Sequence, residues 1–154
     1  HLIRLIIIIT LFPFIIVSLY PFEALELENL MHKREYKAGD YIFKNRAPGE
    51  GMYIIVKGNV KITVGTRSKK ENVFANLTDG EFFGELALFD DEPRSANAIA
   101  TENTQLLGFF TQDLMTLQER NPVLGQKILF NLGGLLGERL RKTNALLVKE
   151  QTKK

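Results

Sequence analysis

Six short runs rich in Val, Ile, Tyr and Phe constrain this chain more than any other feature: residues 41–43, 52–57, 59–64, 72–77, 95–100 and 105–110. Turn residues separate them at Ala38-Gly39-Asp40, Ala47-Pro48-Gly49, Lys57-Gly58-Asn59 and Asp79-Gly80. A strand this short cannot pair its backbone or bury an apolar face alone, so such runs must close on one another. The spacing predicts a mainly β domain, an antiparallel sandwich or jelly-roll β-barrel. At 154 residues the chain supports one domain with a sizeable core.

Helices flank the strands. Residues 23–34 place Leu25, Leu27, Leu30 and Met31 at near-helical spacing, which predicts a short amphipathic helix. The helical period returns after Phe110, with Thr111 as cap of a helix over residues 111–119. Asn121-Pro122 is an N-cap followed by Pro at the first helical position, opening a long helix to about residue 149. Its apolar positions include Ile128, Leu132, Leu135, Leu136, Leu140 and Leu147. The first four form a stripe predicted to pair two copies of the chain as a homodimer. Its basic end, residues 138–154, carries six cations and two anions and reads as a solvated helix end. Phe82, Phe83, Phe89, Phe109 and Phe110 are expected in the core.

Residues 5–22 contain no charged side chain. The run is about long enough to cross a thin bilayer as a helix, kinked at Pro13. A cleavable signal peptide fits poorly, because no small-residue cleavage site follows. The expectation is a membrane segment over residues 5–22, the alternative an apolar lead-in packed on the domain. Lys33, Arg34 and Lys37 follow the run and only Arg4 precedes it, which would leave the remainder cytoplasmic. The chain thus divides into residues 1–22, a β domain over 23–121 and a closing helix with tail over 122–154.

Chemistry narrows the function. The net charge is +2, which makes no case for nucleic acid. With no Cys, thiol nucleophiles and Cys-ligated metals are excluded. Only His1 and His32 are present, so neither a His-rich metal site nor a Ser–His–Asp triad is expected, and the chain reads as a non-enzyme. A metal-dependent oxygenase on a similar barrel ranks last for the same reason.

Residues 81–98 read Glu-Phe-Phe-Gly-Glu-Leu-Ala-Leu-Phe-Asp-Asp-Glu-Pro-Arg-Ser-Ala-Asn-Ala. Gly84 permits positive φ or close backbone approach. Residues 85–89 fit one short helical turn with free amides at its start. Pro93 stiffens the return and Arg94 stands at its mouth, a fork beside exposed amides that suits a phosphate. Glu85 is wrong for phosphate but right for a sugar hydroxyl. Together they describe a ligand with one anionic phosphate and a nearby ribose. Asp90, Asp91 and Glu92 are expected to face water.

This segment resembles the phosphate-binding cassette of cyclic nucleotide-binding domains: Phe-Gly-Glu-Leu-Ala/Gly-Leu, a variable loop, then Pro-Arg-Ser/Thr/Ala-Ala. Residues 36–43 resemble the family's opening strand, and residues 48–62 its next hairpin. The resemblance implies a jelly-roll β-barrel (double-stranded β-helix) with flanking α-helices, and a sensor of cAMP or cGMP with no further cofactor. It implies that Glu85 accepts the ribose 2′-hydroxyl, that Arg94 pairs with the cyclic phosphate, and that Ser95 adds a hydroxyl. Gly84, Leu86, Ala87 and Ala96 shape the surrounding backbone. Arg139-Leu-Arg-Lys-Thr-Asn144 is similar to the closing helix of catabolite-activator-type members, which places Thr143 and Asn144 near the base. Asn97 stands where the family usually carries Thr, Ser, Val or a larger apolar residue near the base, which leaves base preference open. Ligand binding would reposition the closing helix. No DNA-binding domain is expected after residue 149, so the output would lie upstream or in a partner. The competing expectation is an unliganded barrel that works as a dimerisation or interaction module, with Glu85 and Arg94 merely an ion pair.

Overall fold

The computed structural model describes residues 20–65 and 71–153. Helix α1 (Pro21–Asn29) precedes strands β1 (His32–Tyr36), β2 (Tyr41–Phe43), β3 (Gly51–Lys57), β4 (Asn59–Gly65), β5 (Glu71–Thr78) and β6 (Phe82–Phe83). A 3-10 turn (Glu85–Leu88) leads to β7 (Asn97–Ala100) and β8 (Thr104–Phe110), then to α2 (Thr111–Arg120) and α3 (Pro122–Gln151). The strands form two four-stranded antiparallel sheets, ordered β1-β8-β3-β6 and β2-β7-β4-β5. The mainly β class with flanking helices stands. The two sheets are separate, a jelly-roll sandwich rather than a closed barrel.

Burial explains the pattern of β3. Tyr53 and Ile55 point between the sheets, where they meet Val60, Phe83, Ala98 and Leu106. Met52 and Ile54 point the other way, toward Leu27, Leu114, Leu117, Leu124, Ile128 and Leu132 of the helices. The first sheet is covered on both faces, so its central strand reads as an unbroken apolar run rather than an alternation.

The helix expected over residues 23–34 is shorter and starts earlier. Pro21 and Phe22 already belong to α1, and the chain leaves the helix at Leu30. His32–Tyr36 is an edge strand paired to β8, from His32↔Gly108 to Tyr36↔Thr104. Lys33, Arg34 and Glu35 are exposed, so this strand carries no apolar alternation. Backbone pairing with β8 alone makes it a strand, and no local pattern announces that.

Thr111 does not cap α2. Phe110 is the N-cap residue, and its N–H donates to the Asp113 carboxylate at 3.0 Å. The Thr111 hydroxyl instead donates to the Ala87 carbonyl at 3.0 Å, tying the 3-10 turn to the helix start. Asn121 caps α3 as expected, its Oδ1 accepting the Leu124 N–H at 3.2 Å. Of the five phenylalanines expected inside, Phe83 and Phe109 are buried. Phe82 and Phe110 are half-buried and Phe89 is exposed. The stripe on α3 is also redirected, because Ile128 and Leu132 are each only 1% exposed within the chain's own core and Leu135 packs against them.

Among the described residues no helix is long and apolar enough to cross a membrane. Residues 5–19 of the expected membrane segment lie outside the described residues.

Candidate functional site

The cassette is built on the edge of the first sheet. Gly84 follows β6 with φ of +75°, and a Cβ there would lie 2.6 Å from an Arg94 nitrogen. Only glycine supplies both the left-handed turn and the room. The Glu85 and Leu86 amides precede the turn's first internal bond, from the Ala87 N–H to the Gly84 carbonyl at 3.3 Å, so they have no partner inside the turn and stand open as donors. A Cβ on Gly51 would overlap the Phe109 carbonyl, so glycine there lets the loop ahead of β3 close onto β8.

Arg94 is 8% exposed. It donates to the Gly84 carbonyl at 3.0 Å and to the Gly51 carbonyl at 2.6 Å. Its guanidinium lies 4.1 Å over the Phe43 ring. None of these partners is an anion, and Arg94 Nε is buried without an acceptor. Burial pushes the Arg94 pKa down from its ordinary value, opposed by Tyr53, Glu50 and Glu85. A buried cation held by carbonyls and a ring, with a donor left over, is preorganised for an anionic ligand.

Glu85 does not pair with Arg94. Its Oε1 accepts from Arg139 of α3 at 2.5 Å. Arg139 also donates to the Phe82 carbonyl at 2.7 Å and stacks 3.8 Å over the Phe82 ring. The structural-ion-pair alternative fails in its stated form, and Arg139 gives the closing helix a polar contact with the cassette beside the apolar one at Leu88. The resemblance assigns no role to Arg139. Its signal was present: spacing continues Ile128, Leu132 and Leu135 onto Arg139, so a cation sits on the inward face of the helix.

The other expected residues divide. Ala87 is buried behind the turn, while Leu86 and Ser95 are exposed and Ala96 is half-buried. Asp90, Asp91 and Glu92 face water. Asn97 has its side chain bonded to the Asn45 N–H at 2.8 Å and to the Thr63 hydroxyl at 3.3 Å. Thr143 and Asn144 lie on an exposed stretch of α3, and the Thr143 hydroxyl bonds back to the Arg139 carbonyl at 3.0 Å. The chain by itself does not bring them to the cassette. Among the described residues no cluster of three His, Cys, Asp or Glu side chains could hold a metal.

Comparisons with known proteins agree with this geometry. The family model of the cyclic nucleotide-binding domain matches residues 33–121. The chain is 36% identical over 112 residues to a cyclic AMP receptor protein of Thermus thermophilus, covering 73% of this chain and 50% of that protein. It is 44% identical over 69 residues to cGMP-dependent protein kinase 2 of Homo sapiens, covering 44% of this chain and 9% of the kinase. The crystal structure of the Thermus thermophilus catabolite activator protein superposes with a TM-score of 0.76 at 34% identity, covering 87% of this chain and 61% of that one. The chain therefore spans half or less of these curated relatives. With a cassette of this sequence set on this pair of sheets, the chain belongs to the cyclic nucleotide-binding domain family.

Proposed function

We propose that the cassette binds a cyclic mononucleotide, cAMP or cGMP, and that the chain is a sensor rather than a catalyst. The observation that carries this is Arg94: a buried guanidinium with no carboxylate partner and an unsatisfied Nε. The cyclic phosphate completes it. The exposed Ser95 hydroxyl and the open amides at Glu85 and Leu86 add donors, Ala87 backs the turn with its own N–H on the Gly84 carbonyl, and Gly84 and Ala96 leave the backbone room to approach. Glu85 takes the ribose 2′-hydroxyl on the carboxylate oxygen that Arg139 leaves free. The two relatives are named for cAMP and for cGMP, so the reading stops at the shared cyclic ribose phosphate.

Binding couples to α3 through Glu85. A hydroxyl on this carboxylate competes with the Arg139 bond, and a change there biases the position of the distal helix. The exposed Leu140 and Leu147, with Leu136 on the same face, favour pairing of two copies along that half. Thr143 shares this face, so a partner copy would bring a hydroxyl toward the base. The run over residues 5–22 would anchor this domain on the cytoplasmic side of a membrane. Vesicle flotation of the whole chain against one beginning at Glu23 tests the anchor, and equal flotation removes it.

Titration calorimetry with cAMP, cGMP and the acyclic 5′-AMP tests the ligand class. One cyclic nucleotide is expected to bind per chain, with 5′-AMP much weaker. Absence of heat with both cyclic nucleotides at millimolar concentration overturns the reading.

A further inference from the structure

Asn97 opens β7, three residues beyond Arg94, and its amide is engaged at both ends. Oδ1 accepts the Asn45 N–H at 2.8 Å, and Nδ2 donates to Thr63 Oγ1 at 3.3 Å. Thr63 is completely buried and is the register partner of Asn97 across β4 and β7. The amide is therefore anchored on rigid sheet and reaches out to a turn. That turn, residues 44–47, grips Arg94 on both sides of its backbone. The Arg46 N–H donates to the Arg94 carbonyl at 2.7 Å, and the Arg94 N–H donates to the Ala47 carbonyl at 2.9 Å.

The turn closes on one bond of its own, from the Ala47 N–H to the Lys44 carbonyl at 3.1 Å, and it carries strain. Arg46 sits at φ of +68°, a left-handed conformation that costs a residue with a Cβ. The strand leading into it is short, and β2 meets β7 only at Tyr41↔Ile99 and Phe43↔Ala98, with an irregularity between. Phe43, immediately before the turn, carries the Arg94 guanidinium on its ring.

On the cyclic nucleotide reading above, on which this rests, we infer that Asn97 is a positioning residue for phosphate recognition rather than a base contact. Its amide fixes the 44–47 turn, and through that turn both the backbone of Arg94 and the ring beneath its guanidinium. A carboxamide suits the place because it offers an acceptor to the Asn45 N–H and a donor to the Thr63 oxygen in one plane. Val offers neither, and Thr would have to supply donor and acceptor from a single oxygen one bond closer to the backbone.

The test uses the full chain, with Asn97→Ala and, as a second variant that leaves the Asn45 bond intact, Thr63→Val. Asn97→Ala removes both amide bonds and is expected to weaken cAMP and cGMP by the same factor, about five- to tenfold, the worth of one Arg94 hydrogen bond to the phosphate. Thr63→Val is expected to weaken both by less. In an Arg94→Lys background Asn97→Ala should cost little more, because both changes act on one contact. The Arg94 Nε–H nuclear magnetic resonance signal of the free protein should broaden in Asn97→Ala. Loss for one nucleotide only would restore the base contact and overturn the inference, as would full additivity with Arg94→Lys. An unaltered affinity with an unaltered Arg94 signal overturns it too. If the wild-type chain binds neither nucleotide, the functional reading fails, and the Arg94 signal alone still decides whether Asn97 positions that side chain.

Discussion

Arg94 shows how one residue can be both costly and useful. Its charge is buried against the Gly84 and Gly51 carbonyls and the Phe43 ring, with no anion beside it. Dipoles and a ring compensate a charge less well than a carboxylate does. The free protein gains little from this arginine, and on the proposed function the cyclic phosphate supplies the missing anion. Arg94→Ala is expected to cost binding on the order of 2–5 kcal/mol, since a buried phosphate loses its partner. The melting temperature of the free domain should move far less, because relief of a buried charge offsets two lost hydrogen bonds. Arg94→Lys should rescue binding only in part, having no fork to offer. Calorimetry and thermal melts on the same samples check both halves, and equal loss of stability and affinity would refute the argument.

At the scale of elements, α3 does two jobs along its length. Its first half is core: Leu124, Ile128 and Leu132 are buried against β3 and α2. Its second half leaves Leu140, Leu146, Leu147 and Val148 exposed. Arg139 stands at the boundary, bonded to Glu85 and the Phe82 carbonyl. Leu135→Glu is a poor probe of dimerisation, because Leu135 packs on the core and the variant would unfold the domain. Leu140→Glu with Leu147→Glu is the better test, since both side chains face solvent in one chain. If the distal half pairs, this double variant is expected to sediment as a monomer while melting as the wild type does at low concentration. A wild-type chain that sediments as a monomer even when saturated with nucleotide would remove the pairing.

For the whole molecule, helices α1 and α3, at either side of the strands in sequence, are tied together. Glu23 of α1 is 3% exposed and accepts from Lys127 of α3 at 2.8 Å and from the Tyr20 N–H at 3.0 Å. Nearby, Asn121 donates to Glu26 at 3.0 Å. Burial alone would raise the Glu23 pKa, but the Lys127 and Tyr20 hydrogen bonds and the Lys127 charge together hold it below its ordinary value. A carboxylate whose pKa falls on folding contributes stability that is full above its unfolded pKa and is lost as pH falls through the folded one. The wild type should therefore melt higher than Glu23→Gln near neutral pH, and the gap should close below the usual carboxylate range. A gap that stays constant down to strongly acidic pH would show that the ion pair contributes nothing through charge. This pair ties the first half of α3 to α1.

What the sequence by itself determined is local or carried by a contiguous motif. The six strands, the Asn121-Pro122 helix start and the run from Gly84 to Ala96 are set by turn chemistry, β-branched runs and positions that only glycine can fill. Each is legible because its cause lies within a few residues. What the tertiary structure decided depends on partners far along the chain. His32–Tyr36 is a strand because β8 pairs with it. Ile128 and Leu132 are core because β3 and α2 cover them. Asn97 is bonded to a turn fifty-two positions earlier. Glu85 has an arginine partner because α3, fifty-four positions later, returns over the cassette. Spacing along α3 shows which face turns inward, but not which neighbour that face meets, because the contact energy comes from a partner that only the folded chain supplies.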